Sequence, residues 1–428
     1  MAKSDTVDDI GSLPQSGVPE SGDDVLDLHR FASSLYDESN ARMDEVEEVL
    51  MERWEIPKDV TDQVGVRVMQ PVKGRAIIER FRQMLDVGSV TFRTMPHKIG
   101  EREDEICSKI ERWVQGADRR MKRERKCDHD RDALWWYLFR GRADIETRFD
   151  PTAKGNGRFP ICVYTDDPRY VYPVRGRDGI MWYTKGYDVY ARELRGKYKK
   201  KIEALEGTGP NDLVSVVEYW DDKIYMAVVG GEDEGAEVLM RKAHRYGFVP
   251  LAEARCLDTP MDSAKWASHP VIGPVIDHLK QVYALASKMA TGVNLFYYPM
   301  LFGVSASGQA IVVDPYAPGE PQQIAPGTKL EQVNIQVNHQ ALQMLMGFYN
   351  SDINLLTLPE TAFGQEPKSL ESGFAIAQIM NAVQSAIKDK LPELERAMGE
   401  TRGNYLRLYK QFASGSGLDW AVPVDYEK

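Results

Sequence analysis

The chain reads as an α+β protein on two observations. Between Ile145 and Val229 the sequence is β in character: FPICVYTDDPRYVYPV and GIMWYTKGYDVYA hold β-branched and aromatic residues broken by Asp, Pro and Gly. Beyond residue 270 the period changes. Val271, Val275, Leu279, Val282, Ala286 and Met289 recur every three or four positions, the spacing of one helix face.

Bulk properties bound the function. At 428 residues the chain is long enough for two or three domains and a sizeable core. No apolar run is long enough to span a bilayer. The acidic start MAKSDTVDDIGSLPQSG lacks the apolar centre of a secretory signal, so a soluble chain made and kept in a cytoplasm is expected. Cys107, Cys127, Cys162 and Cys256 are too scattered for a disulfide framework. Net charge is −11, from 65 acidic and 54 basic residues. That argues against a protein gripping nucleic acid over its whole surface, and is compatible with one that lets nucleic acid pass without sticking.

Taken in order, residues 1–24 are rich in Asp, Ser, Gly and Pro and read as disordered. From Val25 to Trp54, Leu28, Phe31, Leu35, Met43, Val46, Val49 and Leu50 keep mostly helical spacing, and Pro57 ends the region. Residues 74–86 form a second amphipathic helix, followed by a strand-like VTFRT. Residues 100–126 are helical and heavily charged. Their basic cluster RRMKRERK, Arg119 to Lys126, has acidic neighbours and reads as a solvated, ion-paired face rather than a phosphate contact. DALWWYLFRGRADI is predicted as a helix packing Trp135, Trp136, Tyr137 and Phe139 into a core.

In the β region, LVSVVEYW and KIYMAVVGG form a hairpin with Asp221 and Asp222 near its tip. A pair of Asp suits a two-residue turn less well than Asp-Gly, so a longer loop is expected. KYKKK at 197–201 reads as a solvated helix end, and HRYGFVPLAEARCLD at 244–258 as a further strand region. The helix over 271–290 tolerates Pro274 in its first turn and carries His278 as a packed or edge residue. Residues 295–335 have no helical period. LFYYPMLFGV, SASG and QAIVVDPY read as two strands and a turn, and a last strand-like piece follows among prolines. NHQALQMLMGFYN resumes as helix. INLLTLPETAFGQEPKSLESG starts apolar and becomes a polar loop, and the helical FAIAQIMNAVQSAIKDKL precedes a restart at Pro392 that holds helical spacing to Phe412.

No catalytic set stands out. In LFGVSASGQ the nucleophile-elbow pattern lacks its second glycine: Ser307 holds that position and Gly308 comes one residue late. Ser305 would need a histidine and an acid, and His339 is the only later histidine. Gly155-Asn156-Gly157 is a lone G-x-G in a polar turn. Cys127-Asp128-His129-Asp130 has ligand-type side chains, but four consecutive residues wrap a tetrahedral ion poorly, and a polar turn before a helix is the preferred reading. No catalytic, cofactor or metal residues are assigned, and no enzymatic activity is expected.

The order of parts is more informative. A body is followed by a long helix, a compact β insert, a second helix, a polar loop and a long C-terminal helix. Two helices flanking a β tip suggest a stalk whose apolar stripes pack against further copies of the chain. In this order the sequence resembles the portal proteins of tailed bacteriophages. The matching stretches are DDPRYVYPV, VVEYWDDKIYMAVV, YGFVPLAEAR and LPETAFGQEPKSLESGFAIAQIM, and the resemblance runs from about residue 25 to 412. A short C-terminus, leaving little for a large crown, departs from the pattern.

The resemblance implies a portal-like α+β fold. After the disordered residues 1–24 come an α/β wing (25–270), a first stem helix (271–294), a clip (295–335) and a second stem helix (336–352). A tunnel loop (353–371), a long wing/crown helix (372–413) and a tail (414–428) complete it. It implies a dodecameric ring at one capsid vertex, assembled in the host bacterial cytoplasm and carried in the virion. Double-stranded DNA would pass through without sequence preference during packaging and ejection. Implied partners are the terminase large subunit, a head-completion or adaptor protein, and the major capsid and scaffolding proteins, with no membrane. Thr357, Glu360, Gln365 and Lys368 would face DNA. Ser305, Ser307, Gln309, Asp314, Glu320 and Gln322 would lie in the docking clip, and Val275, Leu279, Val282, Leu342 and Leu345 in the subunit packing of the stem. The alternatives are a ring or scaffold protein without DNA passage, and a serine hydrolase using Ser305.

Overall fold

In a computed structural model the chain is mixed helix and sheet. The structure describes residues 18–51, 68–69, 72–85, 92–96, 100–153, 157–198, 202–230, 236–256, 264, 267–297, 301–304, 310–313, 329–332, 339–358, 381, 390–413 and 420. Two compact units divide the chain. The first takes residues up to 44, 81–271 and 384 onward; the second takes 45–80 and 272–383.

The first unit opens with α1 (Gly22–Leu35). A capping box starts it: Ser21 Oγ accepts from the Asp24 amide at 3.1 Å, and the Asp24 carboxylate accepts from the Ser21 amide at 2.9 Å. Tyr36 leaves the helical conformation at its end, and α2 (Asp37–Leu50) restarts at once. The segment from Val25 is thus two helices, because the buried Tyr36 hydroxyl donates to the Pro173 carbonyl at 2.7 Å. After α3 (Lys73–Met84), most of which belongs to the second unit, residues 92–96 form no strand, unlike the strand-like reading of VTFRT. The Thr94 amide donates instead to the Glu111 carboxylate at 2.6 Å, which takes it out of any ladder.

Two helices lead into the sheets. In α4 (Glu101–Arg125) the basic cluster is matched by acids: Arg120 lies 2.7 Å from Glu124, and Lys122 lies 2.7 and 3.0 Å from Asp128 and Asp130. Then α5 (His129–Arg140) stops at Gly141, whose φ of 74° is left-handed. A Cβ there would stand 2.1–2.3 Å from the backbone of His269 and Pro270, so only glycine fits. The helix predicted to continue through Arg142-Ala143-Asp144-Ile145 therefore ends at Arg140, and those four residues open β1 (Arg142–Phe149).

The strands form two antiparallel sheets here. One has order β2 (Ile161–Asp166), β1, β8 (Leu251–Arg255). The other is a five-stranded meander of β3 (Val171–Gly176), β4 (Gly179–Tyr190), β5 (Leu213–Trp220), β6 (Ile224–Val229) and β7 (Glu237–Ala243). Both faces of its centre are covered, which is why LVSVVEYW is apolar on alternate and intervening positions alike. Val216, Trp220 and Ala227 pack with Leu194 of α6 (Ala191–Lys197), while Val217, Tyr219 and Met226 pack on Val25 and Leu28 of α1. The β5–β6 loop has three residues, and Asp221 Oδ1 accepts from the Lys223 amide at 2.6 Å to tie it. The unit closes with α9 (Leu391–Phe412), with Pro392 in its first turn.

In the second unit, Pro274 sits in a 3₁₀ turn, Gly273–Val275, that leads into α7 (Ile276–Tyr297). The helix takes in Leu295-Phe296-Tyr297, so the strand expected to begin there starts at Leu301, past Pro299 in the sequence. A small antiparallel sheet follows, in order β10 (Ala310–Val313), β9 (Leu301–Val304), β11 (Lys329–Gln332), and then α8 (His339–Leu356). The latter helix runs four residues past the predicted boundary at 352, because Ile353 is buried and helical.

Candidate functional site

Within the second unit, α7 and α8 pack against each other with the three short strands between them in sequence. His278, in the first turn of α7, stands 3.4 Å from Asp352 and edge-on to Tyr349 near the end of α8. The start of one helix meets the end of the other, so the pair is antiparallel. One side of α7 and of the turn before it is enclosed: Val275, Leu279, Val282 and Tyr283 are buried. The Ser287 hydroxyl accepts from the Met69 amide at 2.8 Å and Lys73 Nζ reaches Asn350 at 2.8 Å, so residues near the start of α3 clasp both helices.

The outer side of α8 is different. Met344 (77%), Phe348 (60%) and Leu355 (82%) are exposed and follow i, i+4, i+11, one stripe of a helix. Leu345 (42%) and Leu356 flank it. Asp352 is the single carboxylate of HQALQMLMGFYNSDINLL, and it faces His278. An uncharged stripe of large side chains on a surface marks a place where something binds.

The predicted site residues fall as follows. Leu345 lies on this stripe and Leu342 is half-buried on the same helix, whereas Val275, Leu279 and Val282 are buried. Thr357 follows α8, its hydroxyl donating to the Ile353 carbonyl at 2.6 Å. Ser305, Ser307, Gln309, Asp314, Glu320, Gln322, Glu360, Gln365 and Lys368 lie outside the described residues. Met344, Phe348 and Leu355 were not singled out by sequence. The signal was there: large apolar side chains stand at more positions of α8 than one packed face can hide.

In the first unit, titratable groups gather in two places. Asp118, His129 and Asp130 bring ligand atoms within 4.8 Å of one another, a spacing a metal could use. Arg402 fills that role. It donates to Asp118 at 3.0 Å and to both oxygens of Asp130 at 3.0 and 2.8 Å, and Lys122 adds a second cation. Burial raises the pKa of Asp130, but His129, Arg402 and Lys122 outweigh it and hold the carboxyl below its usual range. Both carboxylates pair with Arg402, and the cluster ties α4, α5 and α9 together.

The second gathering lies on the three-stranded sheet. Asp144 of β1 is directly opposite Glu253 of β8, and Arg142 directly opposite Arg255. Arg175 and Arg255 donate to Glu253 at 2.8 and 2.9 Å. Burial would raise Glu253, but these guanidinium groups dominate and lower it; Asp144, raised by burial and by the Glu253 charge against the pull of Arg142, sits high. Nearby, Glu218 accepts from the hydroxyls of Tyr187 and Tyr225 at 2.7 and 3.0 Å and pairs with Arg148.

No protein-family model matches the chain. No curated protein matches it either. Among the described residues no helix is long and apolar enough to cross a membrane.

Proposed function

We propose that the chain is a portal protein of a tailed bacteriophage, forming a dodecameric ring at one capsid vertex through which double-stranded DNA is packaged and ejected. The observation that carries this reading is the apolar stripe of α8, set in a helix, small-sheet, helix module. Large side chains at Met344, Phe348 and Leu355 are stabilised only when another surface covers them, and a ring of identical neighbours supplies one at every position. Burying a side chain of this size is worth about 1.5–3 kcal/mol, so a few per interface suffice to hold it. The segment between the helices, residues 295–335, is the clip that meets the terminase large subunit and later a head-completion protein.

The net charge of −11 supports passage rather than capture. An acidic wall repels phosphate and leaves many weak contacts in place of a few strong ones, so the duplex slides. Hydrolysis of ATP belongs to the terminase, and the ring itself does no chemistry. Lys368, the single cation of the 353–371 loop, is the proposed transient phosphate contact.

Packaging of a linear duplex by purified terminase into proheads carrying this protein tests the reading. Wild-type rings are expected to support packaging and Lys368→Ala rings to package more slowly. Rings that assemble but never support packaging would leave a structural ring without DNA passage. Unchanged packaging by Lys368→Ala would remove the phosphate contact alone.

A further inference from the structure

An open cavity of about 540 Å³ lies in the first unit, where the ends of β1, β5 and β7 meet. It rests on residues unrelated to the α8 stripe. Its floor is aromatic: Tyr198, Trp220 and Tyr225 are buried rings that line it, and Tyr164, 39% exposed, stands at its wall. Its mouth is cationic. Lys242 and Arg245 are exposed there and make no ion pair among the described residues.

The opposing charge is already used. Asp150 is the one carboxylate among the described lining residues, and it lies 3.6 Å from Arg125. Arg148, deeper in, is paired with Glu146 and Glu218. The uncommitted charge of the cavity is therefore positive and sits at the rim. Two neighbours narrow the chemistry. Burial lowers the His244 pKa against the pull of Asp221, so the imidazole adds no charge at neutral pH, and burial pushes the Cys162 thiol up to about 11, out of the range of a nucleophile.

We propose that this cavity binds a nucleotide, its base among the rings and its phosphate between Lys242 and Arg245. A bare phosphate would use none of the aromatic lining, and a neutral aromatic would leave two cations unmatched. A nucleotide satisfies both. The volume falls in the range of small-ligand sites. This inference does not depend on ring formation, because binding is read on the protein in whatever state of assembly it occupies.

Calorimetric titration of the full chain at low ionic strength tests it, with dAMP, inorganic phosphate, deoxyadenosine and a 5′-phosphorylated single-stranded tetranucleotide as probes. Saturable dAMP binding at least about tenfold tighter than phosphate or deoxyadenosine is expected. The exposed pair Lys242→Glu with Arg245→Glu should weaken it about tenfold or more with an unchanged melting temperature. Tighter binding of the tetranucleotide, lost in the same double variant, would assign a strand end as the source; equal binding would assign the free nucleotide. The proposal is overturned by the absence of saturable dAMP binding at millimolar concentration, by phosphate binding as tightly as dAMP, or by affinity unchanged in the double variant.

Discussion

The two units depart from the usual placing of polar and apolar groups in opposite directions. In the first, Arg142, Asp144, Glu218, Glu253 and Arg402 are buried. In the second, Met344, Phe348 and Leu355 are exposed. A buried charge must find its partner inside the same fold, and each of these has one: Asp144 with Arg142, Glu253 with Arg175 and Arg255, Glu218 with Arg148, Arg402 with Asp118 and Asp130. An exposed apolar stripe must find its partner elsewhere. The buried charges of the first unit are therefore satisfied within one chain, while the apolar stripe of α8 is not covered by it.

The comparison breaks first where the interior of the first unit is most constrained. Gly141→Ala places a Cβ against the His269 and Pro270 backbone at a left-handed φ, and should cost on the order of 4–5 kcal/mol or prevent folding, read by chemical denaturation. Arg402→Met comes next. It strands Asp118 and Asp130 without their guanidinium and should cost about 3 kcal/mol in the same measurement. Adding Asp118→Asn and Asp130→Asn should return much of that loss, since the uncompensated charge goes with them.

A smaller effect follows from pH. Glu218 and Glu253 are lowered to about 2, so their stabilisation is present above the ordinary carboxylate range and is lost as pH falls toward 2. Asp144 is raised to about 7, so its contribution has the opposite sign: full below its ordinary 3.8 and lost as pH rises through 7. Melting temperature should thus fall steeply on acidification below about pH 4.5 and decline more gently from about pH 4 to 7. Asp144→Asn should abolish the gentle decline and leave the steep one. The smallest stability effect belongs to the second unit: Met344→Glu with Phe348→Glu should change unfolding free energy by no more than about 0.5 kcal/mol per site in the dispersed chain, because both side chains face solvent.

Much of this architecture was legible in the sequence, and the gaps have physical causes. Periodicity placed α4, α7 and α8, and the aromatic, β-branched runs placed β4, β5 and β6. The stop at Gly141 was not legible, since a glycine inside a helical pattern shows its need for positive φ only when His269 arrives from far along the chain. VTFRT had strand propensity, and a distant Glu111 took the Thr94 amide. The opposition of Asp144 to Glu253 is a matter of register between strands far apart in sequence. On α8 the pattern marked a helix and Leu345, but which of its apolar positions face outward depends on how α7 covers it. The expected DNA-facing positions Glu360, Gln365 and Lys368 lie outside the described residues.

Class averages of negatively stained protein, wild type beside Met344→Glu with Phe348→Glu, test the central claim most directly. Closed rings with a central hole are expected for the wild type, and dispersed, folded 48.5 kDa chains for the variant. Dispersed monomers or compact dimers in the wild type, or intact rings in the variant, would contradict it.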